Sequence, residues 1–201
     1  MAADPAKKST VQRREAILAA ALAAFNEHGV AGASIEEIRG RSGASVGSIY
    51  HHFGGKDELA GALYLEGLAD YQDGFVSVLD ASSSTCSGVE GAVRHHINWI
   101  YEHRDLARFL LLGRDASLVV ATERPLRELN RRFFGAVRDW MRTGVQAGEL
   151  RDLPPEVATA LWIGPSQELS RYWLAGRTQI DLPGSAAVLA TAAWLSLKEE
   201  S

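Results

Sequence analysis

The chain has a single cysteine in 201 residues, Cys86. That excludes an intrachain disulfide and any four-cysteine zinc site. No run approaches the roughly eighteen apolar residues of a membrane-spanning helix. The N-terminus lacks the apolar core of a signal peptide, so a cytoplasmic location is expected. No H-E-x-x-H, phosphate loop, G-x-G-x-x-G or G-x-S-x-G motif is present. His51-His52 and His95-His96 are sequence neighbours, and adjacent side chains on a helix do not converge on one ion. No catalytic residue, metal or cofactor is therefore expected.

Strong charge is missing too. The net charge is −4, and the chain is 46% hydrophobic, enough for a full core. Residues 1–56 carry seven Lys and Arg against five acids, whereas the remainder carries fourteen against twenty. The mildly positive end is the one to examine for an anionic partner.

The stretch Ser34 to Lys56 holds the most information. Ser34 and Glu37 have capping-box spacing, and Ile35 and Ile38 share a face. Gly43 can end that helix at positive φ. Ser45 can cap a second helix, with Val46, Ile49 and Phe53 as its inward stripe. The outward side then carries Gly47, Ser48 and His51, flanked by Tyr50 and His52. It has no acid, small residues and several hydrogen-bond donors, which suits close approach to phosphates and a groove. Gly54-Gly55 breaks the helix, and Lys56 opens the next with its ammonium near a helix N-terminus.

Residues 10–59 resemble the N-terminal DNA-binding domain of the TetR/AcrR family of transcriptional regulators. The matching positions are Ile17, Ala20, Phe25, Gly29, Ser34, Ile35, Ile38, Gly43, Ser45, Gly47, Ser48, Ile49, Tyr50, Phe53, Lys56 and Leu59. Arg39 and Val46 depart from the family pattern. Arg39 stands where Ala is usual, and its guanidinium is expected to reach solvent or a phosphate. If Val46 turns to the groove rather than the core, it would meet a thymine methyl. The resemblance implies DNA contacts from Ser34, Ser45, Val46, Gly47, Ser48, Tyr50, His51, His52 and Lys56.

The rest reads as helix throughout, so the fold class is all-α. A three-helix helix-turn-helix domain is followed by a C-terminal helical bundle, about nine helices in all. Residues 1–9 read as a flexible N-terminal arm, 10–56 as the DNA-binding domain and 57–201 as a ligand-binding and dimerisation domain. The first helix is expected over Thr10 to His28, ending at Gly29, and Lys56 to about Asp80 is one long helix. Ser87 and Glu90 form a second apparent capping box, opening a helix to about His103. Leu106 to Leu112 is short and apolar, and Gly113 to Thr122 is ambiguous between helix and strand. Pro125 suits the first turn of a helix to about Ala147. Its Arg run reads as a solvated face, because Glu123, Glu128 and Asp139 interleave with it. One helix is expected from Pro155 to about Ala175 and a last from about Gly184 to Leu197.

Helix bundles hold small molecules between helices, in mostly apolar sites with a few polar groups. The candidates here are Tyr71, Phe75, His96, Trp99, Phe109, Phe134, Trp162, Gln167 and Arg171. The last helix is apolar on more than one face, which calls for a partner beyond its own chain. The resemblance implies that the last two helices pair with those of a second subunit, through Leu161, Leu169, Trp173, Leu189, Ala193, Trp194 and Leu197. The expected function is a ligand-responsive, sequence-specific DNA-binding regulator, a homodimeric repressor released by a small-molecule inducer. Its expected partners are a pseudo-palindromic duplex operator and an unidentified small-molecule effector, with no membrane. The alternative is a small-molecule-binding helical protein or enzyme that reuses the bundle without operator binding.

Overall fold

The computed structural model describes residues 5–113 and 116–200, with the backbone alone for 5–9 and 116–121. The described residues form ten α-helices and no sheet. The helices are α1 (Pro5–Gly32), α2 (Ile35–Ser42), α3 (Val46–Phe53), α4 (Lys56–Asp80) and α5 (Thr85–Glu102). They continue as α6 (Arg104–Leu112), α7 (Ala116–Gln146), α8 (Pro155–Trp162), α9 (Gly164–Leu174) and α10 (Ala186–Leu197). A single turn of 3-10 helix at Pro183–Ser185 precedes α10. No described helix is long and apolar enough to cross a membrane.

The chain divides into two compact units. One holds the residues up to Gly67 together with Asp105–Pro125, and the other holds Leu68–Arg104 and the residues from Leu126 on. Helices α4 and α7 contribute residues to both.

In the first unit, α1 buries Ile17, Ala21 and Ala24 completely, with Phe25 nearly so. These residues recur at three- and four-residue spacing, the period of one helix face. Gly29 takes φ 71°, so the regular helix stops where the sequence predicts, and Val30 and Ala33 turn inward beyond it. Helix α1 starts earlier than expected. The arm predicted over residues 1–9 is helical from Pro5, because Pro suits a first helical turn and the Ala-Lys-Lys after it are good helix formers. Residues 1–4 lie outside the described residues. Phe109 of α6 stacks on Phe25 at 5.8 Å and meets the edge of Tyr64.

In the second unit, α5 is the central element. Its stripe of Val89, Val93, Ile97 and Ile100 is buried throughout, and α10 and α9 pack against the helix. The cap is Ser84 rather than Ser87. Ser84 Oγ accepts from the Ser87 amide and Ser87 Oγ accepts from the Ser84 amide, a reciprocal box one turn earlier than predicted. Pro125 lies within α7 rather than at its start. The helix predicted from Pro155 to Ala175 is two helices, with Ile163 between them. Pro165 has no amide proton for the carbonyl of Leu161, so the regular hydrogen-bond ladder fails there. The loop after α7 is pinned to the C-terminal tail, where the Arg151 amide donates to the Leu197 carbonyl and the Glu199 amide to the Glu149 carbonyl.

Candidate nucleic-acid interface

Helices α2 and α3 are short, and their ends are fixed by side chains. Ser34 Oγ accepts from the Glu37 amide at 3.1 Å, and Ser45 Oγ accepts from the Ser48 amide at 3.1 Å. Gly43 takes φ 67° and Gly54 φ 88°, and their amides close the two helix ends onto the Arg39 and Tyr50 carbonyls. An eight-residue helix is marginal alone. These caps and the burial of Ile38 and Ile49 hold the pair in place. Only half of the predicted Ser34/Glu37 box forms, because the Glu37 carboxylate turns to His28 and Arg41.

Ile49 of α3 is fully buried, and the opposite side is open. Gly47 and His51 are exposed, Tyr50 is 51% exposed, and a Cβ built on Gly47 meets nothing within 4 Å. Ser34 and Ser45 are exposed, while Ser48 and His52 are half-buried. Of the two orientations open to Val46 in the sequence, it takes the outward one: it is 37% exposed and does not complete the inward stripe. It sits at the first helical position, where no later turn covers it.

Lys56 has partners the sequence did not predict. Its ammonium donates to the carbonyls of Ala31, at 3.0 Å, and Ala33, at 2.9 Å. The turn after Gly29 leaves those carbonyls at a helix end, where a cation is the natural partner. Three further cations of this unit also have partners. Arg41 bridges Glu27 and Glu37, each at 2.6 Å, and Arg39 pairs with Glu36. Arg14 lies over the Phe53 ring at 5.2 Å and pairs with Glu66. The Arg41 guanidinium holds the Glu27 carboxyl below its usual range. Glu27, His28 and Glu37 also converge within 4.8 Å, with Arg41 as their resident cation.

In the second unit, Tyr71, Phe75, His96, Trp99 and Trp162 come together as packed interior. The Tyr71 hydroxyl and His96 Nδ1 lie 2.9 Å apart, and Trp99 Nε1 donates to Asp70 at 2.7 Å. Trp162 Nε1 donates to the Val89 carbonyl, and its ring neighbours Phe75. Burial raises the Tyr71 hydroxyl pKa and lowers the His96 pKa to about 4, the latter helped by the neighbouring His95. Phe109 stands apart from this group, in the first unit's core. Gln167 is half-buried and Arg171 exposed on α9. Phe134 is 51% exposed and lines an open groove of about 590 Å³ between α7 and α8. Sequence reasoning missed the other apolar walls of that groove, Val137, Met141, Val145, Leu153 and Ala158.

Of the predicted interface residues, Leu161, Leu169, Trp173, Leu189 and Trp194 are half-buried. Ala193 and Leu197 are buried within their own chain, at 3% and 1% exposure, so neither offers surface to a partner. Helix α10 packs on α5 and on α8. Trp173 is engaged by the Arg104 guanidinium at 4.7 Å and by Tyr101. The apolar groups left outward are Val188 and Leu195 on α10, Tyr172 on α9 and Val157 on α8.

Residues 17–63 match the family model for bacterial regulatory proteins of the tetR family. The chain is 42% identical over 59 residues to the transcriptional repressor AcnR of Corynebacterium efficiens, covering 29% of this chain and 31% of that one. The chain thus spans about a third of that curated relative. A TetR family transcription regulator from Marinobacter aquaeolei VT8 superposes with a TM-score of 0.79 at 16% identity, covering 96% of this chain and 100% of that one. The transcriptional regulator FadR of Bacillus subtilis, solved in complex with stearoyl-CoA, superposes with a TM-score of 0.76 at 17% identity, covering 89% and 96%. The two structures share the fold, and the sequence match falls on the helix-turn-helix. Residues 17–63 thus carry the tetR-family sequence match, and the chain as a whole shares the fold of these solved regulators.

Proposed function

We propose that the protein is a sequence-specific DNA-binding transcriptional regulator, a homodimeric repressor that a small-molecule inducer releases from its operator. The observation that carries this reading is the outward side of α3. It is free of acids, it is capped at both ends, and at Gly47 it is open enough for its backbone to approach another surface closely. Two such helices, one from each protomer, enter successive major grooves of a pseudo-palindromic operator. Ser34, Ser45, Ser48, Tyr50, His51 and His52 supply donors to phosphates. Lys56 acts through the turn it holds.

The dimer face we assign is the outward side of α8, α9 and α10, with Val188, Leu195 and Tyr172 at its centre. The inducer acts from the bundle. The α7–α8 groove has the apolar lining of a small-molecule site, and FadR, which shares the fold, was solved with stearoyl-CoA. Release requires a differential affinity of the effector for two states of the dimer. The test is selection of duplexes from a random pool by the purified full-length chain, followed by mobility-shift titration. Enrichment of an inverted repeat supports the reading. A pool that stays random, with no salt-sensitive duplex binding, removes it.

A further inference from the structure

We propose that α3 reads its operator through an aliphatic contact, with Val46 seated on a thymine C5-methyl group, and not through paired hydrogen bonds to base edges. The inference rests on the DNA-binding reading above and names what that site recognises.

The side chains that α3 lacks limit what it can read. Two-point recognition of a base in the major groove uses Arg or Lys on guanine and Asn or Gln on adenine, and acids accept from cytosine. No such residue occurs between Ser42 and Gly55. The cations nearest in sequence have other commitments. Arg39 and Arg41 on α2 are paired with Glu36 and with Glu27 and Glu37, and Lys56 holds two backbone carbonyls. What α3 can present is an isopropyl group, hydroxyls and an imidazole.

Their placement favours the isopropyl group as the base reader. The first turn of a recognition helix is the part that reaches base edges. Val46 is the first helical residue, and 37% of it is exposed. Beside it, Gly47 presents no side chain, and the space over its α-carbon is open. Nothing on that turn therefore holds the backbone away from the groove floor. Ser45 Oγ accepts from the Ser48 amide, which fixes it at the helix end and leaves its proton for a phosphate. In the major groove the thymine methyl is the one base group that an aliphatic side chain can recognise, and it separates T from the other three bases.

The test uses duplexes selected from a random pool by the full-length chain. Each thymine of the selected half-site is replaced by deoxyuridine, which removes the methyl and keeps the base pair. One position in each half-site is expected to lose about fourfold in affinity, the weight of one buried methyl, while other thymines change by less than about twofold. Val46→Ala, whose fold is verified by circular dichroism, is expected to bind the thymine and deoxyuridine duplexes alike at that position. Two results overturn the proposal and leave DNA binding intact: a selected sequence without a sensitive thymine, or a sensitivity that survives Val46→Ala. A pool that shows no enrichment overturns the proposal together with the reading beneath it.

Discussion

Gly47 offers a perturbation whose effects on stability and on binding have opposite signs. It lies in the first turn of α3 with ordinary helical geometry, and a Cβ there meets no atom within 4 Å. Gly47→Leu therefore starts from an unobstructed Cβ at an exposed position. Glycine in a helix costs up to about 1 kcal/mol relative to a good helix former, so the variant is expected to be at least as stable as the parent. For a chain of this length, 1 kcal/mol moves the Tm by about 2–4 °C. The new side chain occupies the space through which the α3 backbone approaches DNA. Overpacking an interface of this kind costs about 1–3 kcal/mol, or roughly fivefold to more than a hundredfold in affinity. Thermal melting and a mobility-shift titration on the selected operator measure the two effects. Wild-type affinity in Gly47→Leu would refute the placement of this face against DNA. A lowered Tm would refute the claim that the position faces open space.

Other positions yield predictions of different kinds. Lys56→Met removes two charge-assisted hydrogen bonds to the Ala31 and Ala33 carbonyls and should cost about 1–3 kcal/mol of stability by urea unfolding. The salt dependence of DNA binding should be unchanged in Lys56→Met, whereas a slope lower by about one unit would return Lys56 to the phosphate contacts. His96 has its folded pKa depressed from 6.5 to about 4 by burial, so the unfolded chain takes up its proton first as pH falls. Stability is therefore full above pH 6.5 and is lost between there and about pH 4, by up to about 3 kcal/mol. The loss of Tm between pH 7 and pH 5 should be smaller in His96→Gln, and equal losses would contradict this assignment. Val188→Glu with Leu195→Glu changes two exposed groups and should give folded monomers in sedimentation velocity. Dimers from that double variant would refute the assigned interface.

The helix-turn-helix was legible because its signals are local. Ser34, Gly43, Ser45 and Gly54 each act on hydrogen bonds three or four residues away, and each does what its chemistry predicts. The partner of Lys56 was not legible. It lies 23 and 25 residues back in the chain, and only the turn at Gly29 brings its carbonyls within reach. Val46 stayed open between core and groove in the sequence, because a period of three to four continues formally through a first turn that nothing covers. The break at Pro165 was present in the sequence, but the apolar spacing on either side resembles one longer helix. In the bundle the ambiguity lies in the residues themselves. Tyr71, Phe75, Trp99 and Trp162 have the spacing of core and of pocket lining alike, and packing alone shows them against one another. Helix α10 is apolar on more than one face, so its pattern could not tell Leu197, which is buried, from Leu195, which is 58% exposed.

The account rests on the contact between the outer side of α3 and duplex DNA, and photo-crosslinking measures that contact most directly. A benzophenone side chain is placed at position 50 of the full-length chain, with position 131 on α7, outside the assigned dimer face, as the control. Both positions are exposed, so both tolerate the probe. The expected result is a crosslink to the selected duplex from position 50, competed by unlabelled operator, and none from position 131. A duplex that crosslinks from position 131 and not from position 50 would contradict it.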